Sequence, residues 1–304
     1  MDKYSTFFAG ECEVILSKII ETLYADLDAL NYIPLAPAEG AGLEKLKWRS
    51  FTAVGIAKII SDYAHDIPSV ETYGTEQSAD IYIGATSYNY DKFTVEKAQR
   101  AGRNLVDTKS AAARRALEEL VDRIAWFGDE QYNIPGFINY PGITEYILPD
   151  NEGHTSKAWA DKTPDEILDD INGLIDTVTE TTLNKEKPNT IIMPPKLYRL
   201  ISTTWVNNDH DVSILDVAKR ANPDITTWGA VSALTSAGAN GSGRIMAYTN
   251  SSDKLEFHLP VAIEQEQPER NGLMYSVILT NQIGGTTVYY PQSVAFADGA
   301  LAAE

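Results

Sequence analysis

Between Ala111 and Phe127 the apolar residues fall at helical spacing: Ala113, Leu117, Leu120, Ile124 and Phe127 lie four and three apart, which predicts a helix with one buried stripe. Its outer face pairs charges one turn apart, Arg114 with Glu118, Arg115 with Glu119, and Glu119 with Arg123. Gly128 stands where a helix ends on a left-handed glycine, and the turn-rich stretch Asn133–Gly142 follows. A second helix begins at Thr163-Pro-Asp-Glu166, a capping box with proline at the first helical position, and carries the stripe Ile167, Ile171, Leu174, Ile175 and Val178. A third stripe, Val14, Ile15, Ile19, Leu23, Leu27 and Leu30, predicts a helix over residues 10–30 that ends at Asn31-Tyr-Ile-Pro. Shorter helices are expected after Pro194-Pro195, with Leu197, Leu200 and Ile201 inward, and over Ser213–Ala221.

Strand patterns fill the gaps. Gly55–Tyr63 and Ala79–Ala85 read as the two strands of a long hairpin with an irregular tip, and Thr190–Met193 as a short buried strand. The C-terminal third predicts one hairpin from Arg244–Thr249 and Leu255–Leu259 around Asn250–Asp253. It predicts a second from Met274–Thr280 and Thr286–Tyr290 around Gly284-Gly285, and a last strand at Gln292–Phe296. The class is α+β with discontinuous subdomains.

Charge sharpens this picture. The chain of 304 residues carries a formal net charge of −18, which disfavours direct gripping of a phosphate backbone. The distribution is uneven. Ile59–Asp91 holds six acids and no Lys or Arg, whereas residues 92–128 hold eight basic residues against five acidic ones. An acidic excursion beside a basic helical region suggests complementary surfaces within one chain or between copies. No apolar run approaches the ~18 residues of a membrane span. The N-terminus lacks the basic-then-apolar order of a secretory signal, and a single cysteine, Cys12, excludes an internal disulfide and points to a reducing cytosol.

Catalytic signals are sparse. His65, His154, His210 and His258 lie far apart in sequence, and Asp209-His210-Asp211 reads as a solvated loop cluster. Asp165-Glu166 and Asp169-Asp170 read as capping and solvated acids. Gly238–Gly243 is a glycine-rich loop with no lysine after it. No enzyme, cofactor or metal site is expected.

Several passages in consistent order carry a resemblance: Ile33-Pro-Leu, Trp48-Arg-Ser-Phe, Gly55–Pro68, Gly74-Thr-Glu-Gln, Ala111–Gly128, Gly136-Phe-Ile-Asn-Tyr-Pro-Gly142 and Pro188–Pro194. Together they resemble the tailed-phage major capsid proteins of the HK97-type fold, in a branch formerly known only as a domain of unknown function. The resemblance implies an N-terminal arm over 1–47, an E-loop hairpin over 48–91 and a peripheral domain with the spine helix over 92–162. It further implies an axial domain over 163–260 and C-terminal strands, 261–304, returning to the peripheral domain. It also implies hexamers and pentamers closing an icosahedral shell around double-stranded DNA, with no sequence-specific binding and no membrane. Assembly would take place in the host cytoplasm, with a portal, a separate scaffolding protein and a cement or decoration protein as partners. Lysine is absent from Ile59–Asp91, so crosslinking through an E-loop lysine is not expected, and the initial methionine speaks for an untrimmed chain. The candidate inter-subunit residues are Asp62, Asp66, Glu71 and Glu76, reaching Arg100, Arg103, Arg114 and Arg115 of a neighbour. The alternatives are an encapsulin shell enclosing cargo enzymes and a soluble acidic hydrolase or binding protein.

Overall fold

The computed structural model describes residues 27–37, 40–55, 69–100, 105–153, 155–206 and 211–302. The expected helix over 10–30 lies outside them except for its end, where α1 (Ala29–Tyr32) stops at an extended Ile33. Cys12, His65, His154 and His210 also lie outside.

After α1 the chain forms β1 (Lys45–Val54) and β2 (Glu71–Asp80), an antiparallel pair in register from Lys45↔Asp80 to Val54↔Glu71. The expected partner strand Gly55–Tyr63 lies, beyond Gly55, outside the described residues, and Ala79 and Asp80 pair instead with Leu46 and Lys45. Lys45 and Lys47 alternate along β1 and meet Asp80 and Glu76 across the ladder at 2.9 and 2.8 Å. The β-strand expected from Ala79 to Ala85 is in fact broken at Ile81, whose N–H donates to the Glu44 carbonyl (3.0 Å). Beyond that break, β3 (Tyr82–Asp91) leaves the hairpin for the body.

Next come α2 (Lys92–Arg100) and the long α3 (Leu105–Phe127). Ala113, Leu117, Val121, Ile124 and Ala125 are buried, whereas Phe127 is half exposed, so the stripe rotates slightly from the one read in the sequence. Gly128 does take the left-handed conformation (φ +70°). The Gly/Pro-rich turn then folds back through β4 (Gly128–Asp129) and β5 (Ile134–Pro135) and caps the helix. Phe137 N donates to Ala125 O (2.9 Å), Ile138 N to Trp126 O (3.0 Å) and the Asn139 amide to Phe127 O (2.9 Å). Three of the four carbonyls that a helix C-terminus leaves unpaired are thus satisfied.

The body is organised by one sheet. β6 (Thr144–Glu145), β7 (Thr190–Met193), β8 (Thr227–Ala230), β9 (Gly243–Tyr248) and β15 (Val294–Leu301) run in the order β6-β15-β9-β7-β8. α4 (Pro164–Thr181), with the complete Thr163/Glu166 capping box, covers one face together with α5 (Pro195–Thr203) and α6 (Ile214–Ala221). Ile191, Met193, Ile245 and Ala247 point to that side. Ile192, Met246 and Tyr248 point to a second core built on the end of α3, Phe137 and Phe257. A strand buried on both faces reads as a continuous apolar run, which is how Thr190–Met193 looks in sequence.

The C-terminal hairpins differ from expectation. β9 and β10 (Leu255–His258) do not pair across Asn250–Asp253: β9 lies between β7 and β15, and β10 pairs with β14 (Gly285–Val288). β13 (Met274–Ile283) does not pair with β14 either. It runs antiparallel to β3 along its whole length and holds β11 (Val261–Gln265) and β12 (Glu269–Asn271) on its other edge. Alternation specifies which face is buried but not which strand lies alongside. Tyr88, Ala113, Leu117, Val277 and Leu279 form a third core where α3 lies on β3 and β13.

Candidate functional site

The β1–β2 hairpin is the feature that the fold itself does not explain. Almost every residue of β2 is exposed, and Phe51, Val70 and Tyr73 are 73%, 68% and 59% exposed. Two exposed strands with no cover of their own are marginal in water. They are anchored at the root, where the Trp48 ring meets Tyr289 edge-on at 5.9 Å and its indole N–H donates to Gln77 (3.0 Å). A cleft of about 510 Å³ opens there, between Trp48, Tyr82, Tyr132, Tyr140 and Tyr289.

The candidate charges fall as follows. Glu71 opens β2, exposed, and accepts from the Tyr73 hydroxyl (2.5 Å). Glu76 is engaged within its own hairpin by Lys47 (2.8 Å) and Arg49 (3.2 Å), which hold its carboxyl below the usual carboxylate range. Arg100 ends α2 and Arg114 stands on α3, both exposed, whereas Arg115 pairs with Glu119 at 3.0 Å. Asp62, Asp66 and Arg103 lie outside the described residues. The hairpin is therefore less acidic than Ile59–Asp91 suggests, because β1 supplies Lys45, Lys47 and Arg49. That signal was legible as alternating basic residues just before the acidic stretch.

The remaining polar clusters serve the fold. The Arg244 guanidinium holds Asp298 through two bonds of 2.7 Å, donates to the Ile138 carbonyl (2.7 Å) and lies 4.0 Å over the Phe296 ring. Asp298 also accepts from Ala239 N, which orders the glycine-rich loop 238–243. Asp170, read as solvated, is buried and receives Lys162 (2.7 Å) and the Trp159 indole (2.9 Å). Among the described residues no group of three His, Cys, Asp or Glu is placed to hold a metal, and no helix is long and apolar enough to cross a membrane.

The described residues form a body with three apolar cores and an exposed two-stranded hairpin. The chain belongs to the major capsid protein family, whose model matches residues 55–300. Its fold is that of phage capsid subunits. It superposes on the capsid of Myoviridae phage XM1 with a TM-score of 0.84 at 18% identity, covering 97% of this chain and 99% of that one. The capsid of the native GTA particle gives a TM-score of 0.67 at 8% identity, covering 96% of each chain. The virus-like particle from Pyrococcus furiosus gives 0.54 at 14% identity, covering 89% of this chain and 95% of that one. No curated protein matches the sequence significantly. The chain is thus a capsid component of the virion, with the α+β, HK97-like fold read from its sequence.

Proposed function

We propose that this chain forms hexamers and pentamers that close an icosahedral shell around the double-stranded DNA of a tailed phage, acting through assembly alone and without chemistry of its own. The observation that carries the reading is the exposed β1–β2 hairpin, an element with little to gain in a monomer and a ready surface for a neighbour. On this reading residues 1–47 are the arm, 48–91 the E-loop and 92–162 the peripheral domain around α3. Residues 163–260 are the axial domain. The segment 261–304 divides, β13 running beside β3 and β15 joining the sheet under α4. The hairpin crosses a neighbour's basic region, with Glu71, Asp62 and Asp66 facing Arg100, Arg103 and Arg114. Glu76 and Arg115 contribute less, since each has a partner in its own chain. Exposed pairs of this kind contribute about 0–1 kcal/mol each, so apolar burial by Phe51, Val70 and Tyr73, repeated over many copies, supplies most of the stability. A portal, a separate scaffolding protein and a cement or decoration protein complete the particle.

Negative-stain electron microscopy of the purified chain, alone and co-expressed with its neighbouring genes, tests this. Closed isometric particles are expected in at least one preparation, and a uniform monomer in both would overturn the reading. The likeness to the Pyrococcus furiosus virus-like particle supports a second reading, an encapsulin-type compartment. Protein cargo in place of DNA inside the particles would select it.

A further inference from the structure

The β1–β2 hairpin has two unlike faces. In an antiparallel ladder, directly opposed residues share a face and neighbours along a strand alternate between faces. The register puts Lys45 with Asp80, Lys47 with Ser78, Arg49 with Glu76 and Phe51 with Gly74 on one face. Leu46 with Ala79, Trp48 with Gln77 and Ser50 with Thr75 share the other, followed on β2 by Tyr73 and Glu71. Side-chain contacts agree. On the first face Lys45 meets Asp80 (2.9 Å), and Glu76 holds both Lys47 (2.8 Å) and Arg49 (3.2 Å). On the second, Trp48 donates to Gln77 (3.0 Å) and the Tyr73 hydroxyl to Glu71 (2.5 Å). Of the charged residues in these two strands, Glu71 alone lies on the second face.

The uncharged face is the one turned toward the body. At the root Leu46, Trp48 and Ala79 are half-buried, while Lys45, Lys47 and Arg49 are exposed. Trp48 packs on Tyr289, and Leu46 lies beside Gly284, where a Cβ would come within 3.2 Å of it. Among the described residues that support ends at Trp48. From Ser50↔Thr75 to Val54↔Glu71 the ladder runs on for about 14 Å. Ser50, Thr75, Tyr73 and Glu71 stay exposed on this underside.

We propose that the underside, and not the charged face, seats on a second copy of the chain. Ser50, Thr75 and Tyr73 lie against the neighbour's α3 surface, with Glu71 meeting Arg114 there. The ladder gives Asp80 and Glu76 a basic residue directly opposite but sets Glu71 against Val54, so its charge is the one left for a neighbour's cation. Burying the charged face would strip water from ion pairs already made within the hairpin, a cost that their attraction does not repay. The hydroxyls of the underside need only hydrogen-bond partners. Tyr73 therefore takes a larger share of the burial than Phe51, whose ring rests over Gly74 on the charged face. The inference rests on the assembly proposed above and adds which side of the hairpin makes the contact.

Two double variants of the full-length chain, each conserving net charge, test this by particle yield in electron microscopy. Ser50→Lys with Thr75→Glu places an ion pair on the underside, and Arg49→Ser with Glu76→Ser removes one from the charged face a residue away. The first should lower yield at least about tenfold, the second less than about fivefold. The opposite order, or equal effects, would overturn the one-sided contact. A footprint provides a second measurement. In a Cys12→Ser background, Ser50→Cys and Arg49→Cys are labelled with a maleimide before and after assembly. Assembly should slow labelling at position 50 at least about tenfold, because a seated face excludes water, and leave position 49 unchanged. Protection at 49 alone, at both positions or at neither would overturn the proposal. A native chain that forms no particles in any preparation would instead overturn the assembly reading and this inference with it, so the two failures are told apart.

Discussion

Asp170 lies in the apolar environment beneath α4, and the side chains of Lys162 and Asp170 are 1% and 0% exposed. Burial pushes this carboxyl above its ordinary value, while the Lys162 ammonium and the Trp159 indole oppose that shift. Removing one partner strands the other. Lys162→Met should lower stability in chemical denaturation by about 3–5 kcal/mol, and the double variant Lys162→Met/Asp170→Leu should recover most of it. A single variant within 1 kcal/mol of wild type would contradict the role given to the pair. His258 is a further buried titratable group, 4% exposed. Burial holds its imidazole below the ordinary value of 6.5, so the fold keeps it neutral. The unfolded chain takes up the proton first. The contribution of His258 is therefore complete above about pH 6.5 and is lost as pH falls toward the depressed folded value. Denaturation midpoints measured between about pH 5 and 7 should fall less steeply for His258→Gln than for wild type. At this scale the sequence misled at Asp170. Its spacing from Asp165-Glu166 looked like a solvated acidic face, and only the fold brings Lys162 and Trp159 over it.

α3 and its return loop form a unit whose glycines are fixed by geometry. A Cβ on Gly128 would lie 2.1 Å from the Ile134 carbonyl oxygen, on a residue already at φ +70°. Gly40, at φ +88°, has open space around it. Gly40→Ala should therefore cost only the left-handed strain of about 1 kcal/mol, and Gly128→Ala about 2 kcal/mol or more, because the loop must also move. Equal melting temperatures for the two variants would contradict the close approach. Helices were legible because capping boxes, stripes and terminal glycines are local signals: α4, α5, α6 and the end of α3 stand where the periodicity put them. Strands were found more reliably than their partners. Thr190–Met193 is a strand as read, but both C-terminal hairpins dissolve into pairings between strands distant in sequence.

For the whole molecule, the separation of a stable body from an exposed hairpin makes a directional prediction. Among the described residues of 51–73, none is buried, so replacing that segment with a short Gly-Ser turn removes no described core residue. The melting temperature should change little while particle yield in electron microscopy collapses. Arg114→Glu should reduce that yield more mildly, in keeping with an exposed pair. Particles formed normally by the shortened chain would remove the hairpin from the assembly contact.

Local sequence determined the helices, their caps, the buried strand segments and the uneven charge, since each depends on residues within one or two turns. The order of those elements sufficed for the resemblance to a capsid subunit. Tertiary structure alone decided that β9 and β7 divide two cores, that β13 runs beside β3, and that Lys45, Lys47 and Arg49 neutralise part of the acidic hairpin. The reason is physical: periodicity encodes which face of an element leaves water. The choice of partner for that face depends on the summed fit of residues far apart along the chain.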